Sequence, residues 1–96
     1  MARYVVLANF SEQGIKSVKD TATRAQAFRD SAKRMGVTVK EIFWTLGRYD
    51  VVATLEGPDD ETVTALMLKF GSLGNLKSET LRAFSEAEIG SMLKKL

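Results

Sequence analysis

Apolar and polar positions follow two periods along the chain, and the switches between them mark out its elements. Tyr4 to Phe10 is a run of Val, Leu and aromatic residues that reads as a strand, with Val5 and Leu7 on one face and Tyr4, Val6 and Phe10 on the other. A strand apolar on both faces is normally buried on both. Ser11 to Asp20 is polar, with Gly14 as a turn signal, and reads as an ordered connection that Ile15 and Val18 anchor to the body. The period then lengthens. Ala25, Phe28, Ala32 and Met35 recur at the spacing of one helical face, with an N-cap at Asp20 or Thr21 and Gly36 suited to a left-handed C-cap.

Val37 to Leu46 is rich in β-branched and aromatic residues and predicts a second strand. Gly47-Arg48 predicts a two-residue hairpin turn, because glycine takes the positive φ that such turns require, and Tyr49 to Glu56 predicts the third strand. Gly57-Pro58-Asp59-Asp60-Glu61 starts a second helix, with its acids where the helix dipole favours negative charge. Val63, Leu66, Met67 and Phe70 form its apolar stripe and Gly71 stops it. Gly71 to Asn75 is a loop by composition. Leu76 to Phe84 is a fourth strand, alternating Lys77, Glu79, Leu81 and Ala83 with Ser78, Thr80, Arg82 and Phe84. Ser85-Glu86-Ala87-Glu88 has the form of a capping box, opening a short last helix whose Ile89, Met92, Leu93 and Leu96 are expected to face inward.

The order β-α-β-β-α-β-α predicts an α+β fold in one domain over residues 1–96. Right-handed crossovers give a four-stranded antiparallel sheet with two helices on one face, a ferredoxin-like layer. The other face stays uncovered although it is apolar, so two copies are expected to pack sheet against sheet as a homodimer or higher oligomer.

Composition narrows the chemistry. With 45% hydrophobic and 27% charged residues, the 96-residue chain falls in the ordinary globular range. It has neither cysteine nor histidine, so it has no thiolate nucleophile and lacks the commonest general base and transition-metal ligand. No metal and no cofactor are expected, and Asp59-Asp60-Glu61 reads as a helix start. A net charge of +2 with mixed signs argues against a nucleic-acid partner. The RNA-recognition fold shares the strand order, but here Asp50 stands where that motif has a small residue, and Ala53, Thr54 and Leu55 stand where it has aromatics. No apolar stretch approaches the roughly 18 residues that span a bilayer, so no membrane partner and a cytoplasmic location are expected.

The candidate ligand-binding residues are Asn9, Trp44, Tyr49, Asp50 and Arg82, and no catalytic set emerges. As strand neighbours, Tyr49 and Asp50 point to opposite faces. Asp50 either accepts hydrogen bonds from turn amides or lines a pocket. Arg82 lies on a strand expected to be covered and needs a counter-charge: Asp50, a carboxylate of a second subunit, or a bound anion. Asn9 either satisfies the backbone at its strand end or meets a ligand, and Trp44 belongs to core or interface before it is a ligand shelf.

Phe43-Trp44-Thr45-Leu46-Gly47-Arg48-Tyr49-Asp50-Val51-Val52 resembles the G-x-Y-D signature of the GYD-domain family. Gly71 to Asn75 followed by Ser78 to Phe84 resembles its second block, and Tyr4 to Leu7, Gly14-Ile15-Lys16 and Lys19-Asp20 also fit. The resemblance implies a subunit of the dimeric α/β-barrel superfamily, which holds heme-binding enzymes, cofactor-free monooxygenases and ligand-sensing domains. It implies no particular reaction. The hairpin also resembles that of the effector-binding domains of leucine-responsive-type regulators, which bind small amino acids near subunit contacts. Two functions are therefore expected: a non-catalytic small-molecule-binding and oligomerising module, or a cofactor-independent monooxygenase or isomerase with a pocket between sheet and helices.

Overall fold

β1 (Ala2–Phe10) is the strand around which the sheet is built. It pairs antiparallel with β3 (Val51–Gly57) on one side and β4 (Leu76–Ala83) on the other, and β2 (Thr38–Trp44) completes the order β2-β3-β1-β4. The computed structural model describes residues 1–96. Its other elements are α1 (Glu12–Lys16), a 3-10 turn (Val18–Asp20), α2 (Thr21–Arg34), α3 (Asp60–Gly71) and α4 (Glu86–Leu93). The strand order and crossovers are those of the expected ferredoxin-like layer, and the sheet does not close on itself.

Register settles which residues share a face. Tyr4, Val6 and Ala8 stand beside Leu55, Ala53 and Val51, on the side covered by α2 and α3. Leu55, Val63, Leu66, Val37 and Ala32 make this layer the core. Three carbons of buried side chain stabilise by about 2 kcal/mol, so these residues dominate the fold's stability. An irregularity between Val39 and Glu41 in β2 lets both Val39 and Ile42 pair on the core side, which strict alternation would forbid. The opposite face carries Val5, Leu7, Phe43, Val52 and Leu81 with nothing over them.

Local signals set the helix ends. Asp59 Oδ1 accepts from the Thr62 amide at 2.8 Å to start α3. Ser85 and Glu88 form the complete capping box of α4. Gly36 follows α2 with φ +79°. Asp20 stands at the N-cap of α2 but makes no side-chain cap bond.

Four expectations are corrected. The hairpin is not a two-residue turn: β2 stops at Trp44 and β3 starts at Val51, with Thr45–Asp50 between them. The Thr45 amide donates to the Asp50 carbonyl at 2.8 Å and its hydroxyl to the Tyr49 carbonyl at 2.6 Å, which closes a wider loop around Gly47 at φ +115°. Second, Ile15 and Val18 are exposed. Polar bonds hold their segment instead, through the Ser11 amide to Asn75 O and the Gln13 amide group to Leu73 O, each at 3.0 Å. Third, the stripe of α4 does not face this chain's core: Ile89, Leu93 and Leu96 are exposed and α4 buries no residue. The radius of gyration of 14.4 Å exceeds the ~12.5 Å of a compact chain of this length, in keeping with a projecting helix. Fourth, β4 is an exposed edge strand rather than a covered one.

Candidate functional site

The five candidate residues do not gather in one place. Asn9 stands opposite Lys77 on the open face, whereas Arg82 stands opposite Tyr4 on the helix side, five residues or ~17 Å along the strands. Trp44 ends β2 on the helix side. Tyr49 and Asp50 lie in the loop, outside β3, so strand alternation does not govern where they point.

Asp50 ties the loop to the end of β1. Its amide donates to Ala8 O at 2.9 Å, and its Oδ2 accepts from the Phe10 amide at 3.0 Å. The carboxylate takes a backbone donor, as one reading of the sequence has it, but from the neighbouring strand rather than from the turn. Beside it, the Arg48 guanidinium lies over the Tyr49 ring at 5.9 Å.

Arg82 finds its counter-charges within the chain, and Asp50 is not among them. Its Nε lies 4.0 Å from Asp60 and a terminal nitrogen 4.0 Å from Glu88, while the guanidinium sits over the rings of Tyr4 at 5.6 Å and Phe84 at 4.5 Å. Asp60 closes the cluster by accepting from the Tyr4 hydroxyl at 2.5 Å. Burial, and then the Asp60 hydrogen bond, push the Tyr4 phenol up to about 12. A phenol held protonated in this way is a donor, not a base. Glu88 is held below the usual carboxylate range by its bonds from Ser85. Tyr4, Asp60 and Glu88 were not singled out in the sequence. The cluster depends on β1, α3, β4 and α4 meeting at one end of the sheet, a long-range event that no local spacing announces.

At the other end, Trp44 Nε1 donates to Thr21 Oγ1 at 3.0 Å, joining β2 to the first residue of α2. Trp44 is the one candidate residue that lines the cavity between sheet and helices, a space of about 130 Å³. Ala8 and Ala53 lie on its sheet side, and Phe28, Met67 and Phe70 on its helix side. Phe28 and Phe70 meet edge-to-face, 5.1 Å between ring centres. The only polar side chains lining it, apart from the Trp44 indole, belong to Thr21, Arg24, Asn75 and Ser78, so the cavity holds neither a carboxylate nor a phenol for proton transfer. No three acidic residues converge as a metal site would need, and no helix is long and apolar enough to cross a membrane.

The family model described as GYD domain matches residues 4–93. A Thermus thermophilus protein named "Glutamine synthetase and cystathionine beta-lyase binding protein" is 30% identical over 95 residues, covering 98% of this chain and all of that protein. The crystal structure of TTHA0845 from Thermus thermophilus superposes with a TM-score of 0.56 at 24% identity, over 88% of this chain and 95% of that one; this likeness speaks for the fold alone.

Proposed function

The chain belongs to the GYD-domain family, and we propose that it is a non-catalytic binding module that pairs with itself and docks onto metabolic enzymes. The observation that carries this reading is the end-to-end match to a relative named for binding two enzymes. The alignment takes in the whole of that relative, which supports carrying a binding role over to this chain.

The chemistry of this chain fits the same role. Asp50 and Arg82 are occupied in holding loop and strand ends, and the cavity beside Trp44 lacks an acid or base. The cofactor-independent oxygenase or isomerase therefore stands as the weaker reading. Self-pairing is supported by the uncovered apolar face, where Phe43 is 50% and Leu81 44% exposed. Arg3, Glu56, Lys77 and Glu79 give that face both signs of charge, which suits a two-fold interface. A stable pairing buries ~800 Å² on each copy.

Two measurements test the proposal. Sedimentation at micromolar concentration is expected to give twice the 10.6 kDa chain mass. Biolayer interferometry against the glutamine synthetase and cystathionine β-lyase of the same organism is expected to give saturable binding to at least one. A folded protein that binds neither at ~100 μM (a free energy of only ~5–6 kcal/mol) would refute the docking role.

A further inference from the structure

The layer between sheet and helices is filled at one end and hollow at the other. Leu55, Val63 and Leu66 fill the first end to complete burial. At the other, the two central strands offer short side chains, Ala53 beside Val6 and Ala8 beside Val51, while Ile42 and Trp44 of β2 and the Phe10–Leu76 pair stand around them. The missing side-chain volume is the cavity of about 130 Å³, whose 19 lining residues include 14 hydrophobic ones. Such a lining leaves its walls short of dispersion partners, and an apolar cavity of about 150 Å³ is known to take up benzene.

One charge breaks the apolar lining. Arg24 lines the cavity, is half-buried, and donates to Ser17 O at 3.0 Å, Ser17 Oγ at 3.2 Å and Gly14 O at 3.3 Å. All three acceptors are neutral. The ion pairs of the chain belong to Arg3, Lys16 and Arg82, so no carboxylate lies within 4.0 Å of Arg24. Beside a mostly apolar cavity a guanidinium without a counter-charge attracts an anion more strongly than it would in bulk water.

We propose that this cavity binds a small monocarboxylate with an apolar body the size of a single ring. The body lies between the alanines of the sheet and the Phe28–Phe70 pair, and the carboxylate meets Arg24. Trp44 forms part of the wall. A dicarboxylate would bury its second charge without a partner. This site does not depend on the docking of enzymes, and loss of one leaves the other standing.

Trp44 is the sole tryptophan and reports directly on the cavity. The full chain is titrated with benzoate and with benzamide, its neutral counterpart of the same shape. The expected result is a saturable change in Trp44 fluorescence and a raised Tm with benzoate, with benzamide binding at least about tenfold more weakly. Ala53→Leu, which fills the cavity, is expected to abolish both responses while keeping the circular dichroism of the parent. Arg24→Gln is expected to lower benzoate to the affinity of benzamide. Absence of saturable benzoate binding overturns the site, as does undiminished binding by folded Ala53→Leu. Equal affinity for the two probes overturns the carboxylate preference. Should either variant fail to fold, methyl NMR of the parent protein decides: benzoate must shift Val6, Val51 and Met67, and shifts confined to other methyls overturn the proposal.

Discussion

β1 presents two faces of nearly equal apolar character, and they meet opposite fates. Tyr4, Val6 and Ala8 are 4%, 5% and 2% exposed beneath α2 and α3, whereas Val5 and Leu7 are only half-buried on the open side. The first face is completed by its own chain, so its side chains set the free energy of folding. The second lacks a cover in its own chain, and it is the face that the proposed self-pairing would bury. An apolar residue in a strand is therefore ambiguous by composition alone. Register and the helices above it decide which role it takes.

The largest break in this comparison comes from the covered face. Leu66 is fully buried, and Leu66→Ala is expected to cost about 3 kcal/mol, read as a fall in the urea midpoint at unchanged slope. Alkali strikes the same face. The Tyr4 phenol titrates at about 12 when folded and near 10 when unfolded, so at pH below 10 both states hold the proton and its contribution is fully present. As pH rises from 10 to 12 only the unfolded state releases it, and stability should fall by roughly 2–3 kcal/mol; Tyr4→Phe should flatten that part of the pH profile. A smaller effect is local. Ser85→Ala removes the hydroxyl that caps α4 and should speed amide exchange within Glu86–Leu93 by an amount equal to about 1 kcal/mol. Because α4 buries no residue, the global urea midpoint should not move.

The open face should give the smallest change in stability and a clear change in mass. Phe43 is half-exposed, so Phe43→Lys should leave the stability of the dissociated chain within about 0.5 kcal/mol. At concentrations where the parent sediments as a pair, the variant should sediment as a single chain. A large loss of stability at dilution would mean that the two faces are not separable in the way described.

The elements were legible in the sequence because their signals are local. The spacing from Ala25 to Met35, Gly36 after α2, and the Ser85–Glu88 box each fix an end or a face within a few residues, and the structure has all three. The Thr45–Asp50 loop misled because Tyr49 has a strand-like side chain, while Asp50 finds a better bond to the Phe10 amide than a turn could offer. Ile15 and Val18 suggested an apolar anchor. Gly14 instead packs so closely that a Cβ there would meet Asn75 O at 2.0 Å, and such an approach admits only backbone and polar contacts. The partners of Arg82 were out of reach, since Asp60 and Glu88 arrive from α3 and α4. The cavity was hidden for a similar reason: an alanine in a strand reads as packing until the side chains above it are known to fall short.

The central place of β1 has a consequence for how the chain is made. Its neighbours β3 and β4 both follow it in sequence, and β4 begins only at Leu76, so about 65 residues must be added after Phe10 before both edges are paired. At translation speeds of about 5–20 residues per second this leaves an apolar strand with a bare edge for roughly 3–13 s. The pairings that finally cover it join distant parts of the chain, which makes them slow as well as late. The nascent chain thus passes through an interval in which its most apolar strand is open to chaperones, or to the same strand of a neighbouring nascent chain.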